Sequence, residues 1–356
     1  MTSKERINTA LSHKELDRVP IGYVSTIEAK NKLKDYLKID DDDKLLKRLG
    51  VDYRFVFPEY IGPKGLLLDF NWDCPGKDIW GVERREIRNV YGAYREIVKY
   101  PLKDIKDVGD LDRYPWPKVE WFDFDGLPQK IAELNRDDEY AIILNGGSVF
   151  EQSWYLRGLD QFLMDLLINP DITCKIIENV FNFWISIIIE SMRVIEDKID
   201  AIFFGDDVAS QEGMLISLET WRKWVKPWHK KFYSTSHYYG KITMYHSCGS
   251  VEPIIEELID IGLDVLNPLQ FSARGYPCPE KLKEKYGDRL SFLGGMDIQT
   301  ILPFYSIEDI KKETERLIRI LGKNGGYIIQ TTHNIQADTP PEKIMAMYDT
   351  ALNFNY

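Results

Sequence analysis

The chain has 356 residues, 44% of them hydrophobic and 29% charged, the balance of a globular protein with a substantial core. Its 57 acidic against 46 basic residues give a net charge of −11, which argues against nucleic acid and against an anionic membrane surface as partners. It also disfavours a polyanionic small substrate, because no basic cluster stands out beyond exposed helical runs such as Lys281-Leu-Lys-Glu-Lys285 and Lys311-Lys312. No apolar run approaches the roughly 18 residues needed to cross a bilayer, and the polar N-terminus has no signal-peptide core. Four scattered cysteines, Cys74, Cys174, Cys248 and Cys278, make no disulfide framework, so a cytoplasmic location is expected.

In chain order, Thr2 to Leu11 reads as an amphipathic helix, and Asp17-Arg-Val-Pro20 leads into the apolar strand Ile21 to Val24. Helices are expected over Glu28 to Leu37 and Asp43 to Leu49, then a strand from Asp52. Between Asp78 and Tyr100, Ile79 to Val82 and Tyr94 to Val98 alternate around Tyr91-Gly92-Ala93, which reads as a hairpin. Pro101 to Trp121 reads as an ordered surface loop. After it, strands starting at Tyr140, Ala201, Ile242, Val265, Leu290 and Tyr327 are separated by helical stretches, among them Phe150–Ile168 and Asp171–Asp197. With those starting at Val19 and Asp52 the strand count is eight. Such alternation specifies a parallel sheet, and eight units a closed (β/α)₈ barrel. An open doubly wound sheet is the runner-up, but no Gly-rich dinucleotide fingerprint follows any strand. We expect one domain over 1–356 with an insertion at about 78–121 beside the mouth.

Barrels of this type do their chemistry at the C-terminal strand ends. Those ends carry Glu59, Asn145, Asp206, Asp207, His246, Cys248, Gln270, Asp297 and His333. Residues two apart on a strand share a face, so His246 and Cys248 aim at one point, and both are preferred zinc ligands. His333 at the last strand end completes a nitrogen–sulfur–nitrogen trio with a fourth position open. The plainer reading is a set of buried polar groups satisfied by backbone. Of Asp206 and Asp207, one reads as a loop cap, the other as a general acid/base or a fourth metal ligand. Glu212 is the third catalytic candidate. Glu59, Asn145, Trp154, Gln270 and Asp297 are substrate-binding candidates, although Asp297 also reads as a cap. His13, His229 and His237 fall in helical or surface segments and read as ordinary. Tyr155 and Trp80 belong with Trp154 to the aromatics of which a few could wall a flat substrate.

The chain resembles the uroporphyrinogen decarboxylase superfamily in several stretches. These are Asp17-Arg-Val-Pro20, Gly205-Asp-Asp-Val-Ala-Ser-Gln-Glu-Gly213, His246-Ser-Cys-Gly249 with Val265-Leu-Asn-Pro268, Gly294-Gly-Met-Asp297, and Thr332-His-Asn-Ile-Gln336 with Thr339-Pro-Pro-Glu342. The resemblance runs nearly end to end and implies a (β/α)₈ barrel. The decarboxylase branch carries an arginine-rich segment after the first strand for porphyrinogen propionates, whereas Ile21-Gly-Tyr-Val-Ser-Thr-Ile27 has no arginine. The corrinoid-dependent methyltransferase branch is similar in its His-x-Cys pair, here His246 and Cys248. Its distant cysteine is replaced by His333. That branch implies zinc, a corrinoid carried by a partner protein, and a small O-, N- or S-methylated substrate. The alternatives are a metal-independent decarboxylase and a non-catalytic corrinoid- or tetrapyrrole-binding barrel. A homodimer is left open.

Overall fold

The computed structural model describes residues 1–68, 75–88, 90 and 92–354; Cys74 and Tyr91 of the expected turn lie outside the described residues. Seven parallel strands follow one another around a single sheet in the order in which they occur along the chain. They are Tyr53–Val56 (β1), Ala141–Gly147 (β2), Ala201–Gly205 (β3), Ile242–His246 (β4), Val265–Asn267 (β5), Ser291–Met296 (β6) and Tyr327–Thr331 (β7). Residues 19–24 close the ring between β7 and β1. Gly22 N donates to Ile329 O (2.9 Å) and Ile329 N to Pro20 O (2.9 Å), while Asp52 N donates to Ile21 O (3.0 Å). The eighth lane is therefore present, but it pairs as single bridges rather than a regular strand. The architecture is the expected (β/α)₈ barrel.

Side-chain alternation divides each strand between interior and helix layer. Tyr53, Ile143, Met244, Val265, Leu293 and Ile328 fill the barrel, with Ile7 of the N-terminal helix Ser3–Leu11 (α1) as part of the same cluster. Val56, Leu144, Ile202, Phe204, Leu266, Phe292 and Ile329 belong to the larger outer cluster. Beneath β1, the Asp52 carboxylate is fully buried. It accepts from Arg6 Nη1 (2.6 Å), from Arg18 Nη1 (2.8 Å) and Nη2 (2.9 Å), and from Ile21 N (2.8 Å). This network ties the Asp17-Arg-Val-Pro20 stretch and α1 to the first two lanes.

Three readings change. The helix expected over Phe150–Ile168 breaks at Gly158 (φ +85°) into Phe150–Arg157 (α2) and Leu159–Ile168. The first hairpin strand is Glu83–Arg88, not residues 79–82, and it pairs with Ala93–Lys99. Asp78 Oδ1 accepts from Trp80 N and Val82 N (2.9 Å each), so residues 78–82 form a turn whose apolar side chains enter the core instead of a ladder. Lastly, the Pro170–Lys198 stretch is long and apolar enough by composition to cross a membrane, at mean hydropathy 1.5. Polar residues interrupt the run, which hides it from a search for continuous apolar sequence. Within helix Pro170–Ile195 (α3), Ile176, Val180, Phe183, Trp184 and Ile187 are buried in the outer core.

Candidate metal centre

His246 ends β4 with its ring inward, in register with Asn267 of β5. Asn267 Nδ2 donates to Leu293 O (2.9 Å), which turns its Oδ1 toward the ring. His246 Nδ1–H therefore donates to Asn267 Oδ1 (2.6 Å), and the lone pair of Nε2 is left pointing to the mouth. Cys248 follows in the loop, its Sγ 3.5 Å from His246 Nε2. Ligands about 2.1 and 2.3 Å from a tetrahedral zinc ion stand roughly 3.6 Å apart. The loop is fixed by backbone bonds, Cys248 N to Asp207 Oδ1 (2.7 Å) and Gly249 N to Gln270 Oε1 (2.7 Å). Gly249 (φ +87°) has Ser210 O 2.4 Å from where a Cβ would lie, so only glycine allows this approach.

His333 comes from the loop after β7, with its ring centroid 5.7 Å from that of His246. The ligand atoms of His246, Cys248 and His333 lie within 4.8 Å of one another. His333 is exposed at the mouth, yet the protein packed around its ring, and His246 second, lower its imidazole to about 4, so it presents a neutral lone pair near neutral pH. Burial, then Asp207 and Glu151, push the Cys248 thiol up. A neutral thiol surrounded by carboxylates is a poor nucleophile on its own, and a cation at the trio would reverse that balance. The two nitrogens and one sulfur thus fit a zinc ion by donor type and spacing.

The two aspartates divide. Asp207 lines the cavity, its Oδ1 3.7 Å from His246 Nε2, and burial pushes its carboxyl up while His246 opposes the shift. Asp206 does not reach the mouth. Its carboxylate accepts from Phe150 N (3.0 Å), Glu151 N (2.6 Å) and His229 Nε2 (2.8 Å). The residue before α2, Val149, has no capping side chain, and Asp206 fills that role from the adjacent strand. Its catalytic reading gives way to a positioning one.

What Asp206 positions is Glu151, which the sequence reading missed along with His229. Glu151 lines the cavity and accepts from Tyr155 Oη (2.5 Å), one helical turn on. Burial raises its carboxyl well above the ordinary range; Asp207 adds to this, and the Tyr155 hydrogen bond opposes it. The only sequence signal was the i, i+4 pairing of a carboxylate and a phenol directly after a strand.

The cavity at the mouth has a volume of about 590 Å³, and Asn145 is among the residues that line it. Asn145 Oδ1 also accepts from Gly147 N (3.0 Å). Phe55 and Phe203 form an aromatic wall, 5.4 Å apart, that continues to His246 at 6.2 Å. The remaining candidates lie elsewhere. Glu59 is exposed in a short antiparallel pair with Asp123, which carries it out of the mouth. Glu212 is a surface carboxylate 3.4 Å from Arg274. Trp154 packs edge-on against Tyr155, and it is Tyr155 that lines the cavity. Gln270 supports Gly249 from behind the loop. Asp297 Oδ1 accepts from the backbone N–H groups of Gln299, Thr300 and Ile301, the cap that its position also suggested.

Residues 97–354 match the family model described as uroporphyrinogen decarboxylase (URO-D). Among solved structures, a methyltransferase from Methanosarcina mazei superposes with a TM-score of 0.71 at 19% identity, over 99% of each chain. That likeness bears on the fold. The 7,8-dihydropteroate synthase from Vibrio fischeri ES114 reaches only 0.37 at 11% identity, over 94% of this chain and 92% of that one, and carries no argument. No curated protein sequence matches the chain significantly.

Proposed function

The chain belongs to the uroporphyrinogen decarboxylase family, and from that premise we propose that it is a zinc-dependent methyltransferase, moving a methyl group between a small O-, N- or S-methylated molecule and the cobalt of a corrinoid held by a partner protein. The observation that supports this reading is the trio of His246, Cys248 and His333, gathered within 4.8 Å at the mouth of a barrel. When bound there, zinc would supply a Lewis acid that polarises the heteroatom carrying the methyl group.

The chain's own residues divide the remaining work. His246 is held in one tautomer by Asn267, and Cys248 is set by the Asp207 and Gln270 contacts. Phe55 and Phe203 keep water from the side of the substrate. In the demethylating direction the methyl group leaves without its bonding pair, and the heteroatom then takes a proton. Glu151, whose carboxyl burial shifts toward the protonated form, is the group placed in the cavity wall to supply that proton, with Tyr155 fixing the rotamer. The decarboxylase alternative needs cations for several propionates, and among the described residues the cavity is lined by two arginines, Arg84 and Arg95.

Metal analysis of the purified protein tests the reading. About one zinc per chain is expected, with zinc and methyl transfer to cob(I)alamin both lost in Cys248→Ala. Full activity in metal-free protein would refute it.

A further inference from the structure

We propose that Gly205 is a specificity-determining residue of the cavity, its bare backbone leaving a slot beside His246 for a flat, uncharged aromatic ring that carries the methylated heteroatom. The methyl group in that statement rests on the methyl-transfer reading above; the slot rests on the glycine and its surroundings.

Gly205 is the last residue of β3, and it lines the cavity. Glycine within a strand weakens it, and four needs account for its presence: a bulge, a bend, the close approach of another backbone, or a ligand. The first three fail here. Gly205 pairs in regular register with His246, and the irregularity nearby is on β2, between Asn145 and Gly147. The ladder runs on past it, with Asp206 N donating to His246 O (2.8 Å). Its φ lies outside the left-handed range, unlike that of Gly147 or Gly249, so other residues can adopt it. Beyond its chain neighbours, a Cβ there would meet only Phe203 Cε1, at 4.0 Å, an ordinary contact with no backbone near. What the missing side chain provides is room in the cavity.

The surroundings say what fills that room. Across the register stands His246 of the trio, so a molecule lying on Gly205 lies against the trio. Two residues back on the same face is Phe203, whose ring is 5.4 Å from that of Phe55 and 6.2 Å from that of His246. Phe55 lines the cavity and is 42% exposed, so a large apolar ring stands open there. Apolar surface in a concave place suits a ligand as its cover, and a planar one packs closely on both phenyl rings and a bare peptide plane. Among the described residues, two guanidiniums, Arg84 and Arg95, and two carboxylates, Glu151 and Asp207, line the cavity. Neither sign is in excess, which suits an uncharged ring.

Calorimetry on the full-length protein with anisole and with cyclohexyl methyl ether tests the slot. The two ethers share one heavy-atom skeleton, but the second has a puckered ring. Anisole is expected to bind at least about tenfold more tightly. Gly205→Ala should weaken anisole about tenfold and Gly205→Val about a hundredfold. Since a Cβ has space in the empty cavity, the urea midpoint of Gly205→Ala should be no lower than that of the native protein. Equal affinity for the two ethers, or anisole binding unchanged in Gly205→Val, overturns the proposal. Should the valine variant fail to fold, Gly205→Ala decides: a lowered midpoint shows a glycine kept for structure, and unchanged anisole affinity shows that no ring lies on it. Binding that follows these expectations, with no methyl transfer from anisole to cob(I)alamin, would refute the methyl-transfer reading and leave the slot standing. Transfer from anisole at an unchanged rate in Gly205→Val would do the opposite.

Discussion

Asn267 shows how one amide can prepare a metal ligand. Its Nδ2 is committed to Leu293 O, so its Oδ1 can only receive the His246 Nδ1 proton. Asn267→Ala should leave the imidazole free to turn and change tautomer, lowering zinc affinity by roughly 10–100-fold. Competition with a chromophoric chelator measures this, and an unchanged affinity would exclude the orienting role. Glu151 gives a pH dependence with a definite sign. A proton donor works only while protonated, so demethylation should fall as pH rises through its raised pKa. Glu151→Gln should flatten that limb and slow the reaction by about 10²-fold or more; a mutant with an unaltered pH profile rules Glu151 out. The same shift makes the group's stability contribution full below the ordinary value of 4.5 and lost as pH climbs through the raised one. His246 and Cys248 could be paired from the sequence because strand period places them together. Glu151 and Tyr155 could not be found that way, since they sit on a helix whose orientation a residue more than fifty positions away decides.

That residue is Asp206, and its influence belongs to the scale of elements. Helix α2 starts at Phe150 with no capping side chain of its own, and the carboxylate of Asp206 takes the Phe150 and Glu151 N–H groups. Asp206→Ala should cost about 1 kcal/mol for the lost cap and up to roughly 3 kcal/mol once His229 is left without its acceptor. Urea denaturation gives the first quantity. Asp206→Asn, which keeps an acceptor oxygen, should recover part of the loss; equal instability of the two variants would show that charge rather than capping is involved. The Gly-Asp-Asp stretch was visible as a strand end carrying two carboxylates. Which one faced inward was not visible. Alternation continues past the strand end, with Phe203, Gly205 and Asp207 toward the cavity and Ile202, Phe204 and Asp206 toward the helices, but an all-apolar strand does not show from sequence which of its two faces is the interior one. The hairpin was misplaced for a related reason. Alternating apolar residues at 79–82 satisfy a strand pattern equally well when a turn built on Asp78 buries them.

At the scale of the whole molecule, the barrel could be read because its strands are short apolar runs at regular intervals between helices, and parallel pairing needs little more. The first lane was the least regular. It closes the ring by isolated bridges at Ile21 and Ser25, and what holds it is electrostatic as much as ladder-like. Asp52 collects the guanidiniums of Arg6 and Arg18 and the N–H of Ile21, so α1, the first lane and β1 meet on one buried carboxylate. Arg6 also binds Asp17 at 2.7 Å, and that second partner lets it keep a counter-charge if Asp52 is removed. Arg18 has no other carboxylate partner among the described residues. Replacing Asp52 by Ala therefore leaves the half-buried Arg18 guanidinium with only the Val19 and Gly50 carbonyls and strands one buried backbone donor, a loss of about 2–3 kcal/mol. Unfolding in urea should show a lower midpoint, and amide exchange should open residues 19–24 before the β2–β7 lanes. A loss under about 1 kcal/mol would mean that solvent replaces the carboxylate and that strand pairing alone closes the barrel.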